Sequence, residues 1–500
     1  MPEIESGNET LLEREQPIEK IIKGRKEKLD GLRASKVEPY PAGFNRTHAT
    51  KDITESFSGL KPGETSAETV STCGRMVLRR EMGKAAFANL MDHLGGIQIY
   101  LRSDAVGKER FDIFAKLVDI GDFIGVEGTP FRTRTGEITV AVKSWTMLSK
   151  ALRPLPEKWH GLKDVETGYR QRYLDLLSNE SSRKVFAMRS SIISALRKYL
   201  DSKGFLEVET PVMQPVPGGA LARPFVTKHN AYDMDLYLRI APELWLKKLI
   251  VGGLDKVYEL GKSFRNEGVD RHHNPEFTML EIYEAYSSCG GMIALCKGIM
   301  RYLAENLEDI AEGQKQKLSG FREVKLADLS RETMGLDIVQ TVTEGKIRDA
   351  AARLGVKAGD DETDKKVFDH IFDQLIQPKL KSPTFVTGYP LAFSPLAKKT
   401  AGNDLVADRF ELFIDGQEVA NAYSELNDPE EQRKRFFSGA APQDAEEHHL
   451  FDKDFIEALE YGMPPCGGLG IGIDRLTMVL AGAGSIRDVI LFPLLRPEGG

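Results

Sequence analysis

Residues 264–281, FRNEGVDRHHNPEFTMLE, set two arginines, two histidines and three glutamates among phenylalanines and other apolar side chains. A solvated loop would carry those charges without Phe264, Phe277, Met279 and Leu280 beside them. The segment therefore belongs to a folded site that holds something anionic and something flat and apolar at once.

That site must sit in a chain of several parts. With 500 residues, 41% hydrophobic and 29% charged, the polypeptide exceeds one ordinary core and divides into two or more domains. A formal net charge of −7 argues against nonspecific coating of nucleic acid, so any such partner must meet selected basic patches. Cys73, Cys289, Cys296 and Cys466 form no CxxC pair and no zinc-like spacing with histidine. The opening MPEIESGNET lacks a basic, apolar signal, and no apolar run reaches the roughly 18 residues a bilayer span needs. A cytoplasmic protein without a membrane segment is the expectation.

Residues 1–60 are polar, and IEKIIKGRKEKLDGLRA reads as a helical N-terminal extension with Ile18, Ile21, Ile22, Leu29 and Leu32 on a narrow stripe, a charged surface helix or a weak contact for an RNA backbone. Residues 61–155 change to short strands with turn signals. IQIYL at 97–101 has strand composition, and Thr135-Gly136 separates two extended segments, the second carrying Ile138, Val140 and Val142 on one face. This is a small antiparallel domain, a five-stranded barrel of the kind that stacks single-stranded bases on aromatic rings. Arg75, Arg79 and Arg80 on its first strand and Phe87 on the next fit a base-stacking face, and fit equally a core Phe87 beneath solvated arginines.

A polar linker, 156–180, follows. The second domain, 181–500, opens on a helix with Val185, Met188, Ile192, Leu196 and Tyr199 at helical spacing and Gly204 as its stop, then the strand FLEVETPVM ended by Pro211. Strand-rich segments at 232–300 and 384–495 flank a charged, mainly helical insertion around 300–383. The fold class is α+β.

Standard phosphate loops fail. ELGKS at 259–263 ends like a P-loop, but its first glycine position is Lys256; GGLGIGIDR at 467–475 lacks GxGxxG spacing. The opening segment supplies another geometry. FRNE…HNPEFTMLE resembles motif 2 of the class II aminoacyl-tRNA synthetases, GFLEVETPVM resembles motif 1, and GLGIGIDRL resembles motif 3, in the family's order. The resemblance covers nearly all of residues 60–497 and implies an OB-type barrel, 61–155, followed by a class II catalytic domain with an antiparallel sheet and flanking helices.

It also implies roles. Arg265 and Arg475 would be catalytic, and ATP would meet Arg265, Glu267, His273, Asn274, Phe277 and Arg475, with adenine between Phe277 and Arg475. His272 stands where the family's RHNPEF form has arginine, with Arg271 one place earlier, so the resemblance does not assign the contacts of these two residues to the far phosphates. In RFELFIDGQEVANAYSELND, a turn at Asp415-Gly416 would bring Glu411 and Glu418 to one Mg2+ ion, the metal partner of ATP. RIAPELWLK, MLEIYEAY and NAYSELND resemble the lysyl members of the aspartyl/asparaginyl/lysyl subgroup. By that likeness Glu243 and Gly219 take the α-amine of lysine, Glu281, Tyr283 and Glu425 the ε-amine, and Asn421 the carboxylate. A carboxylate-lined pocket suits two ammonium groups, whereas an aspartate pocket needs cations. RRxMGKxxFxxLxD…IQ matches at Arg79, Phe87 and Gln98, with Glu137 in the later hairpin, as an anticodon-binding set.

The implied activity is formation of lysyl-adenylate and pyrophosphate from lysine and ATP, then transfer of lysine to the 3′ end of tRNA(Lys), by a homodimer joined through motif 1. Alternatives are an aspartyl- or asparaginyl-type enzyme, a lysyl-adenylate enzyme that modifies a protein, and a catalytically silent RNA-binding or regulatory protein on the same fold.

Overall fold

The computed structural model describes residues 18–156, 164–220, 222–308, 310–438 and 452–497. Residues 1–17 of the N-terminal extension and 157–163 of the linker lie outside the described residues. The chain forms two compact units, Met1–Gly161 and Leu162–Gly500.

In the first unit, α1 (Ile18–Ala34) and α2 (Thr50–Ser56) precede β1 (Val70–Met82), β2 (Ala85–Met91), β3 (Gly96–Arg102), α3 (Lys108–Leu117), β4 (Phe123–Arg132) and β5 (Ile138–Ser149). The strands close into a barrel in the order β1-β2-β3-β5-β4. β3 and β5 run parallel, a pairing that a tight hairpin cannot make, and α3 lies within the crossover. Alternation along each strand buries Met76, Ala88, Leu90, Ile99, Val126 and Val140, and Gly136 takes φ +97° at the expected β4–β5 turn.

The extension is not a detached surface helix. Leu32 and Ile53 are fully buried in the barrel's own hydrophobic cluster, each worth about 1.5–3 kcal/mol by burial. Arg25 donates to the carbonyls of Ala151 and Arg153 at 3.2 and 3.1 Å, and Lys28 pairs with Asp119. Of the apolar stripe, Ile18 alone is exposed, so the described part of 1–60 completes the barrel domain.

The second unit is built on an eight-stranded sheet: β6 (Leu206–Glu207), β7 (Lys256–Phe264), β8 (Glu276–Ala285), β9 (Arg322–Lys325), β10 (Thr384–Thr387), β11 (Arg409–Ile414), β12 (Gln417–Ser424) and β13 (Cys466–Gly472). Their order is β9-β10-β11-β12-β13-β8-β7-β6, antiparallel from β10 to β7. One face carries Leu280, Ile282, Phe410, Leu412, Ala420, Ala422, Leu469 and Ile471 and packs on α4 (Glu180–Ser202), α6 (Cys289–Asn306) and α7 (Ile473–Ala481). α4 stops at the expected glycine, Gly204 at φ +78°. The opposite face carries the polar residues considered below, beside α5 (Glu243–Val251).

The 300–383 insertion is helical as expected. It has its own core, with Leu326, Ile338, Ile347, Val367, Ile371 and Ile376 buried, and it adds β9 in parallel to β10 at the sheet edge.

Candidate active site and nucleic-acid face

Hydrogen-bond register assembles the site in transverse rows, since directly paired residues point to the same side of a sheet. One row runs Glu411, Asn421, Gly470, Glu281, Glu259; the next runs Arg409, Tyr423, Gly468, Tyr283, Val257. Residues drawn from five strands and separated by some 160 positions thus share one surface.

A bulge sets its phase. Leu412 pairs with Ala420 but Phe413 pairs with Glu418, which leaves Val419 unopposed, and Val419 and Ala420 both enter the buried helix-side core. Glu418 consequently faces the same side as Asn421.

The glycines of β13 make room. A β-carbon on Gly468 would overlap the Glu425 carboxylate and stand 2.7 Å from the Tyr283 ring; one on Gly470 would stand 3.3 Å from Glu281 Oε1. The glycine-rich segment is therefore a strand whose missing side chains leave space for carboxylates, not a phosphate loop.

The carboxylates are not equivalent. Glu259 is paired with Arg239, and Glu411 with Arg409 and the Tyr389 hydroxyl at 2.7 Å. Glu243 accepts from Lys247 Nζ at 2.6 Å and Tyr423 Oη at 2.5 Å. Lys247 also meets Glu425 Oε2, while Glu425 Oε1 is buried without a hydrogen-bond partner. Glu281 receives a 3.4 Å contact from Tyr283 Oη and, among the described residues, no ion pair. Burial, reinforced by repulsion from Glu243 and opposed by Arg265, pushes the Glu281 carboxyl up to about 8. Burial likewise raises Glu425 well above the carboxylate range against the pull of Lys247. Gly219, at φ +88°, lies against Glu243: a β-carbon there would stand 3.1 Å from the Glu243 Cβ. The pocket thus holds buried anionic capacity that the protein itself leaves partly unmatched, and a cation answers that demand.

Beside it lies a basic cluster on the β7–β8 loop and α7. Arg265 Cζ stands 5.0 Å from the Phe277 ring centroid, with Nε buried and unpartnered, and burial lowers its pKa. His273 contacts Asp270 Oδ2 through Nδ1 at 2.8 Å and Arg475 Nη2 through Nε2 at 3.2 Å; Arg475 Nη1 donates to Glu418 Oε2 at 3.0 Å. The chain Asp270, His273, Arg475, Glu418 joins three distant segments. Asn274 donates to the Glu276 carbonyl at 2.6 Å and keeps a buried, unpartnered Oδ1, whereas Glu267 is exposed. Unpaired donors and acceptors around an aromatic ring suit a nucleotide.

Glu411 and Glu418 fit a hard cation in donor chemistry and in facing one side. Burial, countered by Arg409 and reinforced by Glu418, raises Glu411 to about 7. No group of three His, Cys, Asp or Glu gathers among the described residues.

On the barrel, β1–β2–β3 register puts Arg80, Phe87 and Tyr100 in one row. Phe87 stacks on Tyr100 at 4.4 Å, Tyr100 lies 6.2 Å from Phe131, and Gln98 Nε2 donates to Glu137 Oε2 at 2.8 Å. Phe87 is half-buried on the outer face, so it is not a core side chain. Arg79 corrects the expectation. It is one residue out of phase with Arg80, pairs with buried Ala88, and sends its guanidinium to the carbonyls of Phe114, Ala115 and Val118 at the end of α3. Arg75 is similarly committed, over Phe123 and to the Gly121 carbonyl.

Sequence reasoning missed Lys247, Arg409, Tyr389 and Tyr423. Lys247 left a trace, a charge four residues after Glu243 in a helix that is apolar apart from these two and Lys248; the others depend on strand register.

Residues 164–496 match the family described as tRNA synthetases class II (D, K and N), and residues 70–148 match the OB-fold nucleic acid binding domain. The chain belongs to this class II synthetase family. More particularly, it is 50% identical over 98% of its length to a Lysine--tRNA ligase of Syntrophomonas wolfei, covering 99% of that protein. It is 49% identical over 94% of its length to the Lysine--tRNA ligase of Bacillus subtilis, covering 96% of that protein.

Proposed function

We propose that the chain is a lysine–tRNA ligase, an ATP-dependent enzyme that forms lysyl-adenylate and then lysyl-tRNA(Lys). The observation that carries the reading is the pocket of buried Glu243 and Glu425 and half-buried Glu281, incompletely neutralised next to Arg265 and Arg475. Its charge suits lysine and opposes aspartate; an uncharged analogue would leave buried carboxylates unpaired.

In activation the lysine carboxylate attacks the α-phosphorus and pyrophosphate leaves. Alignment and charge neutralisation carry the step, without a protein nucleophile. Arg265 offers a planar fork that bridges substrate carboxylate and α-phosphate, Asn421 orients the carboxylate, and Phe277 with Arg475 encloses adenine. Glu267, His273 and Asn274 complete the nucleotide contacts. Glu243 with Gly219 receives the α-amine, and Glu281, Tyr283 and Glu425 the ε-amine. Glu411 and Glu418 would hold Mg2+, which when bound neutralises phosphate charge. In the second step a terminal tRNA hydroxyl attacks the adenylate carbonyl and AMP departs.

On the barrel, Phe87 supplies a stacking surface for an anticodon base and Gln98 with Glu137 a polar edge. The presence of this domain disfavours an enzyme that passes lysine to a protein, and the full nucleotide set disfavours a silent regulator. Leu206, Val212, Met213, Val226 and Met234, apolar yet exposed around motif 1, support a homodimer. No helix of the described residues is long and apolar enough to cross a membrane, in keeping with a cytoplasmic role.

Pyrophosphate exchange measured with each of the twenty amino acids tests the assignment. Lysine-dependent exchange is expected; exchange with aspartate or asparagine and not with lysine would overturn it.

A further inference from the structure

Lys247 lies fully buried one helical turn beyond Glu243, and the activation chemistry gives it no task. Its ammonium stands 2.6 Å from Glu243 Oε1, meets Glu425 Oε2, and lies 5.6 and 5.9 Å from the ring centroids of Tyr423 and Phe455. One cation thus ties together the two carboxylates that, on the reading above, receive opposite ends of the substrate.

The charge count is informative. Glu243, Glu281 and Glu425 bring three negative charges when ionised, and Lys247 one positive, which leaves two to match the two ammonium groups of lysine. Burying Lys247 is costly unless paired and hydrogen-bonded, and the two carboxylates provide that pairing. The pairing also restrains them. A carboxylate held on one side by a fully buried ammonium cannot shift toward a shorter ligand without breaking that contact where water does not replace it at the ammonium. Tyr423 adds a second restraint on Glu243 through its 2.5 Å hydrogen bond.

We propose that Lys247 is a specificity-determining positioning residue, which by linking Glu243 to Glu425 fixes the separation of two anionic anchors at the span of lysine's two amines and so disfavours diamino acids one methylene shorter. The inference rests on the lysine-pocket reading of Glu243 and Glu425. A missing methylene is worth about 10–200-fold in a well-formed pocket, and that factor shrinks when the anchors are free to move.

The test compares kcat/KM for lysine and for ornithine in pyrophosphate exchange at saturating ATP, in the full-length enzyme and its Lys247→Met and Tyr423→Phe variants. Lys247→Met is expected to lower the lysine-to-ornithine ratio at least about tenfold, through a raised KM for lysine with the KM for ATP unchanged. Tyr423→Phe, which removes one oxygen and keeps the buried ion pairs, should shift the ratio in the same direction by a smaller factor. If Lys247→Met does not fold, Tyr423→Phe alone decides. Ratios within about twofold of wild type, with lysine activation intact, would overturn the role of Lys247 while sparing the pocket. Absence of lysine-dependent exchange in the wild-type enzyme would instead overturn the pocket reading beneath it.

Discussion

Glu418 and Asn421 stand three positions apart on one strand and nevertheless face the same side of the sheet, because Val419 between them bulges toward the helices. In a regular strand they would point to opposite faces, separating the carboxylate proposed for the metal from the amide proposed to orient the substrate. Deleting Val419 removes the unopposed residue and leaves Glu418 two positions from Asn421 in an unbulged strand, so both should still face one side and pyrophosphate exchange should be largely retained. Val419→Ala keeps the bulge and should cost only about 1–3 kcal/mol of stability, read as a lower Tm with exchange largely retained. Loss of exchange in the deletion variant, with Val419→Ala active and the deletion variant folded, would contradict the phase argument.

Glu281 should give lysine recognition a pH dependence. Its carboxyl titrates near 8 in the folded protein, so below that pH an ammonium ligand must expel a proton to bind. kcat/KM for lysine is expected to rise up to about pH 8 and then level, a limb absent from Glu281→Gln. The stability sign is opposite: the native state binds more protons than the unfolded chain between the ordinary carboxylate pKa and about 8, so stability falls as pH rises there. Glu281→Gln, uncharged throughout, should remove that fall in thermal melts. It should also raise the KM for lysine about 10- to 100-fold with little change for ATP.

Gly468→Ala tests the space that β13 leaves. The added methyl meets the Glu425 carboxylate and the Tyr283 ring, so one of them must move. Overpacking costs about 1–3 kcal/mol, and lysine affinity, measured by calorimetry, should drop at least about tenfold. An unchanged Kd would show that Glu425 does not face the ligand.

Phe87→Ala should separate the two units. Loss of the ring stacked 4.4 Å from Tyr100 should weaken tRNA binding by about 1–3 kcal/mol and slow charging accordingly. Pyrophosphate exchange without tRNA should stay near wild type. A matching fall in exchange would refute the separate roles. Arg79→Ala should instead lower barrel stability, since its guanidinium satisfies carbonyls at the end of α3.

The strands of the barrel, the stop at Gly204 and the three motif segments are visible along the chain because each rests on local periodicity or turn chemistry. The candidate nucleotide and substrate residues proposed above were drawn from those motifs as well. Arg79 was misread: matching a motif does not reveal which way a strand residue points, and its neighbour Arg80 takes the outward position. How the extension's helix packs was not legible, because a narrow apolar stripe gives no hint of the barrel core that Leu32 joins.

By itself, then, the sequence determined the α+β class, the order of its domains and the residue types of the candidate site. Only the tertiary structure decided which carboxylates are already neutralised, where Lys247 lies, and that Glu418 and Asn421 share a face. Strand periodicity is a local property, whereas charge pairing and register depend on segments far apart in the chain that meet only when the sheet forms.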